Sequence, residues 1–457
     1  MRLHILSNSF YVNSGFSKVA LNIALGLKKL GYDVSATGLQ TAMKSDYHYG
    51  IESLPIDAGS HIDEIGQLYL NLQKTNPDVL LYVGQMDTDT NHFTKVFGKI
   101  ISYTPVEGRN IGSMMTNDLK YIIDHGGLVV AQCKFGQEEM KRVGVNAGMI
   151  YHGYDPSVFK KIDSFEPYCY YRTEIGKINT DPVKLHEMGC YDCRHTIFSN
   201  ANTRCQYYKE EIVSLLKWDN SNDNKRWMQR DIGISKLNEE LKGREKRFIY
   251  IGIFQNNGAR KRIERLLKAY ALLINESKQL KDRTRLHLHT LPISIQGVNL
   301  IKIISELGIN DNVTFSYGAF RSSGWSETGL NVLYNLADVN VSASSSEGFG
   351  LPILESMACG VPNIGPDCSS FTELIGNEND TDLSKNRGLL AKIESHVMIQ
   401  DGSERALVDE YDLALKMKKM YIDDDLRELF GINAEKWVKQ WTWEKICKDW
   451  NKLLESV

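Results

Sequence analysis

A short apolar strand, a turn of small residues and an amphipathic helix recur along this chain, and that recurrence leaves few folds open. Residues 2–6 read as a strand, Asn13-Ser14-Gly15-Phe16-Ser17 as the turn, and Val19, Ile23, Leu27 and Leu30 share one helix face. Gly31 suits a left-handed stop for that helix. Strands follow at 32–36, 79–83, 99–103 and 127–131. Strands that alternate with helices imply parallel sheets covered on both faces. The rhythm breaks after Phe159, and residues from about 160 to 246 are polar, irregular and rich in Lys, Asn, Asp and Tyr. It restarts at 247–252. Helices are then predicted at 261–273, 298–307 and 329–336, and strands at 285–289, 312–316 and 339–343. Two more strand–helix units and a helical tail from Asp409 complete the chain.

The expected architecture is α/β, with two doubly wound Rossmann-like domains facing across a cleft. The first spans 1–160, an irregular insertion or linker spans 161–246, and the second domain spans 247–438. A length of 457 residues agrees, because single cores rarely grow past roughly 250 residues. A hydrophobic fraction of 42% excludes a disordered chain. Lys+Arg 54 against Asp+Glu 57 leaves −3, which excludes a basic nucleic-acid binder by overall charge. No apolar run approaches the ~20 residues that span a bilayer. Residues 1–7 read as a buried strand and not as a signal peptide, since Asn8 and Ser9 follow at once. The eight Cys are scattered, at 133, 169, 190, 193, 205, 359, 368 and 447. That pattern predicts a reduced, cytoplasmic protein.

The segment Ser344-Ser345-Ser346-Glu347-Gly348-Phe349-Gly350-Leu351-Pro352-Ile353-Leu354-Glu355 carries the densest chemistry. A strand ends before it, so Glu347 falls at a strand's carboxyl end, where ligands of such sheets bind. Gly348 and Gly350 allow close approach of the backbone. Pro352 suits the first turn of a helix, whose free amides and dipole attract an anion. Glu355 lies one turn in. Two carboxylates beside an anion-binding helix end suit a ligand with hydroxyls and phosphates, such as a sugar nucleotide. Taken singly, each Glu would read as a cap or a solvated helix residue.

The string from Glu347 to Pro362 resembles the E-x7-E motif of retaining glycosyltransferases of the GT-B fold, family 4 (glycosyl transferases group 1). Glu347, Gly348, Phe349, Gly350, Leu351, Pro352, Glu355, Ala358, Gly360 and Pro362 carry the likeness. Ile150 to Phe159 resembles the family's interdomain segment, and Phe248 to Tyr270 its strand, basic loop and helix. Trp441-Thr442-Trp443-Glu444-Lys445 resembles its closing helix, so residues of about 439–457 are expected to pack back on the first domain.

The resemblance implies a sugar transferred from a nucleotide diphosphate to an acceptor hydroxyl with retention. Attack comes from the face that the diphosphate leaves, without an obligatory metal or other cofactor. It places Arg260 and Lys261 on the diphosphate, where fixed cations stabilise the leaving charge without reorganising. Cations at a helix start oppose its dipole, which favours a bound anion there. The family's usual Arg after the strand glycine is absent from Ile253-Phe254-Gln255-Asn256, and Arg260 would substitute. By resemblance Glu355 holds the ribose, Glu347 contacts the donor sugar, and the amides of Phe349, Gly350 and Leu351 meet sugar or phosphate. The loop glycine, Gly15, approaches the donor, and Lys18 lies within reach of a phosphate. UDP is the family's commonest nucleotide, with GDP next. The family's histidine after the fourth strand is missing from Ser102 to Arg109, where Glu107 or Thr104 could face the cleft or Pro105 could form a structural turn. His152 and Asp87 complete the acceptor or sugar side.

Two signals compete with plainer readings. Asp87-Thr88-Asp89 has the form of a metal-binding pair of another fold, but here suits a polar loop at the mouth. Cys190 and Cys193 have zinc-knuckle spacing, with Cys169 and Cys205 as partners, against free buried thiols. The tryptophans 437, 441, 443 and 450 have the spacing of packing residues. The acceptor stays open among glycan, lipid, protein and modified nucleic acid, with peripheral membrane contact compatible with the basic run 242–247. An epimerase-like sugar-nucleotide enzyme or a non-catalytic binding module is the alternative to transfer.

Overall fold

The computed structural model describes residues 1–10, 12, 14–39, 46–48, 50–55, 64–86, 97, 99–162, 248–254, 257–294, 297–316, 327–376 and 385–457. The first sheet is built from β1 Arg2–Asn8, β2 Asp33–Leu39, β3 Asp46–His48, β4 Ile51–Pro55, β5 Val79–Val83, β6 Ile100–Thr104, β7 Leu128–Ala131 and β8 Gly148–Met149. Its order is β3-β4-β2-β1-β5-β6-β7-β8. All neighbours are parallel except β3, an antiparallel edge on β4. The second sheet holds β9 Phe248–Ile253, β10 Thr284–His289, β11 Val313–Phe315, β12 Val339–Val341, β13 Asn363–Pro366 and β14 Gly388–Ala391. It is parallel throughout, in the order β11-β10-β9-β12-β13-β14. A separate antiparallel hairpin, β15 Ile393–Met398 and β16 Glu404–Val408, follows β14.

Each sheet is buried on both faces because its strands are apolar on both sides. Leu3 and Ile5 of β1 pack with Val19, Ile23 and Leu27 of the helix Gly15–Lys29. Leu6 points the other way, toward Leu68 and Leu72 of Glu64–Thr75 and Leu119 and Ile122 of Ser113–Asp124. The C-terminal helix Trp443–Glu455 joins the first of these layers through Trp443, Ile446, Trp450 and Leu454. Gly26 lets it come close: a Cβ there would lie 2.1 Å from Cys447 Sγ. The chain thus crosses between the sheets twice, and the crossings run side by side. Tyr154 N–H donates to Trp441 O at 3.0 Å, and Trp443 N–H to Tyr154 O at 3.2 Å.

In both sheets the strand order reverses beside the first strand, between β1 and β5 and between β9 and β12. Such switch points leave a crevice at the carboxyl ends of the strands. Arg260 and Lys261 follow β9, and the loop 342–350 follows β12, so both border the second crevice. Gly15 follows β1, Gln85 and Met86 follow β5, and Pro105 and Glu107 follow β6, bordering the first.

Three details differ from the sequence reading. The strand β3 is an antiparallel edge on β4, and β15 of the hairpin is largely exposed, so neither has the apolar run of a central strand. The helix predicted from Lys261 is instead a 3-10 turn, Ala259–Lys261, followed by Ile263–Asn275. Arg262 breaks the two apart with φ +47, a left-handed conformation uncommon for a residue with a Cβ. Among the described residues no helix is long and apolar enough to cross a membrane.

Trp450 is fully buried and meets Tyr103 of β6 edge-on at 4.9 Å. Trp450→Ala should cost about 3–5 kcal/mol, read as a lower denaturant midpoint. A loss below about 1 kcal/mol would mean that the helix Trp443–Glu455 is only loosely attached.

Candidate active site

The loop after β12 is fastened before it reaches Glu347. Ser344, Ser345 and Ser346 are buried, and Ser345 donates to the Arg260 carbonyl from its N–H at 2.9 Å and its hydroxyl at 3.1 Å. Arg260 returns Nη1–H to Ser346 O at 2.6 Å. Glu347 N–H donates to Ser369 Oγ at 3.1 Å, and Ser370 Oγ donates to Glu347 O at 3.1 Å. The Glu347 backbone is therefore clamped by hydroxyls at the start of the helix Ser369–Ile375. Gly350 then turns the chain with φ +100, caps Leu351–Ala358, and admits Pro352 into the first helical turn.

Clamped this way, the Glu347 side chain meets Lys261 Nζ at 2.6 Å and Arg260 Nη1 at 3.1 Å. Burial opposes its ionisation, but the two cations outweigh burial and lower its pKa to about 2. The Lys261 ammonium is pushed down by burial and by Arg260, against the pull of Glu347. Arg260 also pairs across the cleft, from Nε to Glu107 Oε2 at 3.2 Å. Arg405 of β16 reaches the same Glu107 oxygen at 3.5 Å.

Glu355 forms a second cross-domain cluster. Lys18 Nζ lies 2.6 Å from Glu355 Oε1 and 2.6 Å from Glu327 Oε1. Tyr334 donates to the other Glu355 oxygen at 3.0 Å. Burial would depress the Lys18 ammonium, but the two carboxylates reverse this and its pKa rises. Glu355 itself is raised, because burial outweighs Lys18. A third contact caps a helix from the opposite domain: Glu373 accepts the Lys134 and Phe135 N–H groups at 3.0 and 3.1 Å, at the start of Lys134–Arg142.

The structure brings the named residues of the second domain together with part of the first. Gly348 faces Pro105 so closely that a Cβ would sit 2.3 Å from Pro105 Cβ. The Gly15 position lies 4.0 Å from Leu351 Cδ1. Of the alternatives after β6, Glu107 reaches the charged cluster, whereas Thr104 is buried and accepts the Met86 N–H at 3.3 Å. His152 is also interior, with its ring 4.6 Å from that of Phe349 and 5.5 Å from that of Tyr103. Burial lowers its pKa to about 3, so it is neutral. Asp87 and the cysteines 169, 190, 193 and 205 lie outside the described residues. Glu327, Tyr334, Glu373 and Arg405 were not read as site residues. Only the cleft contacts reveal them, since none stands in a distinctive motif.

Two facing doubly wound sheets, with this charged crevice between them, make the GT-B architecture. Residues 234–437 match the family described as glycosyl transferases group 1. The chain is 36% identical over 125 residues to the serotype-specific mannosyltransferase WbdA of Escherichia coli, covering 26% of this chain and 14% of that protein. It is 31% identical over 174 residues to O-antigen chain mannosyltransferase B of Escherichia coli, covering 36% of this chain and 40% of that one. The matched stretches thus span less than half the length of these relatives. Among solved structures, HepE of Anabaena in complex with UDP superimposes with a TM-score of 0.62 at 14% identity, covering 100% of both chains.

The pairing of Glu347 has a signed pH consequence. Its folded pKa, about 2, lies below the ordinary 4.5. The stabilisation is therefore complete above about pH 4.5 and is lost as pH falls toward about 2. Between those values the melting temperature of the wild type should fall more steeply than that of Glu347→Gln, whereas at pH 7 the variant should be less stable by roughly 3 kcal/mol. Parallel melting curves across the acid range would contradict a carboxylate held ionised by Arg260 and Lys261.

Proposed function

We propose that this protein is a retaining glycosyltransferase that moves a hexose from a nucleotide diphosphate to an acceptor hydroxyl. The observation that carries the reading is Glu347 held between Lys261 and Arg260 at the switch point of the second sheet, beside the helix that Gly350 opens. Lys261 and Arg260 would stabilise the diphosphate as the C1–O bond to phosphate breaks. The acceptor oxygen forms its bond to C1 on the same face, and its proton passes to a phosphate oxygen. No protein base and no metal is needed for that step. Glu347 would orient the donor sugar and Glu355 the ribose hydroxyls. The Phe349, Gly350 and Leu351 amides, with Gly15 opposite, would line the phosphate and sugar path.

The family and the names of the mannosyltransferase relatives support hexose transfer. The UDP complex of HepE supports a UDP-sugar over a GDP-sugar. The proposed division of labour gives 247–438 to the donor and 1–160, with the last helix, to the acceptor. Lys18 engages Glu355 where a ribose would bind, so donor entry would exchange that ion pair for hydroxyl contacts.

A nucleotide panel followed by thermal shift tests the reading. One of UDP and GDP should raise the melting temperature by mass action, equivalent to about 2.7 kcal/mol at a hundredfold excess over Kd. Lys261→Ala should remove most of that shift. Glu347→Gln should keep nucleotide binding but lose about 100-fold in acceptor-free donor hydrolysis. Unchanged hydrolysis in Glu347→Gln would refute the role given to this carboxylate.

Lys18 and Glu355 supply a second test. Lys18→Met leaves Glu355 buried without its cation and should destabilise the protein by up to about 3 kcal/mol. Adding Glu355→Gln should recover much of that loss, read as a coupling energy in denaturant unfolding. Simple additivity of the two substitutions would show that the pair does not join the domains.

A further inference from the structure

A cavity of about 510 Å³ opens on the first-domain side of the charged cluster, and it takes walls from both domains. Met86, Ile111, Met114 and Met115 come from the first domain, and Ile399 from the tip of the β15–β16 hairpin. The hairpin is held in place by backbone pairing across the cleft. Arg109 N–H donates to Glu404 O at 2.9 Å, and Glu404 N–H to Arg109 O at 2.9 Å. At Gly112 a Cβ would lie 1.9 Å from Asp401 O, so only a residue without one admits the hairpin tip. Glu107 and Arg405 also line the cavity, with Gln85, Gln400, Asp401 and Ser403 as its other polar residues. Glu107 is one ion pair from Arg260 and two from Glu347.

We propose that this cavity receives the aliphatic portion of the acceptor, with the accepting hydroxyl beside Glu107 and Arg405. The inference rests on the transferase reading above and names the class of acceptor: an alcohol carrying a flexible hydrocarbon segment. Two observations select that class. Three methionines, Met86, Met114 and Met115, line the cavity beside Pro105, Val106, Ile111 and Ile399, and unbranched methionine adapts to flexible chains. The apolar surface continues outward at Met114, which is 42% exposed on the rim. The volume falls within the range of small-molecule sites. Because the hairpin belongs to the second domain, its tip would set acceptor specificity from the donor side.

Calorimetric titration of the full chain with octyl and methyl β-D-glucopyranoside, below the octyl glycoside's micelle threshold and with UDP present, tests the inference. Each buried methylene should tighten binding about fourfold, so the octyl glycoside should bind at least about tenfold tighter. Ile399→Asp and Met115→Glu should each erase that advantage while the thermal shift with UDP persists, which separates a lost contact from a lost fold. Equal affinities for the two glycosides, or an octyl advantage that survives both substitutions, would overturn the inference. If neither UDP nor GDP shifts the melting temperature, the donor reading fails. If a nucleotide shifts it and the glycosides bind alike, only the cavity's assignment fails.

Discussion

One carboxylate held by two cations organises the cleft. Glu347 lies between Lys261 and Arg260, and Arg260 extends the cluster to Glu107 and, through it, to Arg405. Asp401 also acts on Arg405, so three cations stand among three carboxylates in a largely buried crevice. On the proposed reading, a diphosphate would compete with Glu107 for Arg260. The loop that presents Glu347 is tied at Ser345, Ser346 and its own backbone. The cluster is thereby fixed by the chain's own groups, as electrostatic stabilisation of a leaving group requires.

The same groups hold the domains together. Lys18 to Glu355, Glu107 to Arg260 and Glu373 to the start of Lys134–Arg142 all cross the cleft. On the proposed reading, Glu355 and Arg260 are also ligand groups. A donor that takes either from its cross-domain partner must weaken one tie between the sheets while building another. Ligand affinity and domain spacing would then be linked reciprocally: whatever separates the sheets would free Glu355 from Lys18. Gly348 has a parallel role in shape, because a side chain there would collide with Pro105.

The second sheet and its loop were legible because their signals are local. The strand β9, the basic turn at Arg260 and the run from Glu347 to Glu355 are contiguous, and each has a direct physical meaning. The strand 79–83 was readable for the same reason, being apolar throughout and bounded by polar residues. Arg405 was not readable, since it lies on a hairpin whose strands lack an apolar run. Glu327 and Glu373 likewise acquire meaning only from residues hundreds of positions away, and Tyr334 only from its contact with Glu355. The left-handed Arg262 had no signal either: nothing in Arg260-Lys261-Arg262 marks the break between the 3-10 turn and the helix.

That contrast has a chemical basis. A phosphate-binding crevice needs few parts, namely a strand end, a glycine turn, a helix start and a cation, and these fall close together in sequence. A surface shaped for one acceptor has no such requirement. The cavity proposed for the acceptor is assembled from loops after β5 and β6, the start of the helix Ser113–Asp124 and a hairpin contributed by the other domain. None of these pieces is periodic, and the hairpin is registered on the first domain by backbone pairing at Arg109 and close packing at Gly112. A change of a few residues at the tip would therefore reshape the cavity and leave Glu347, Lys261 and Arg260 where they are. On the proposed reading, donor chemistry and acceptor choice could then vary independently on one scaffold.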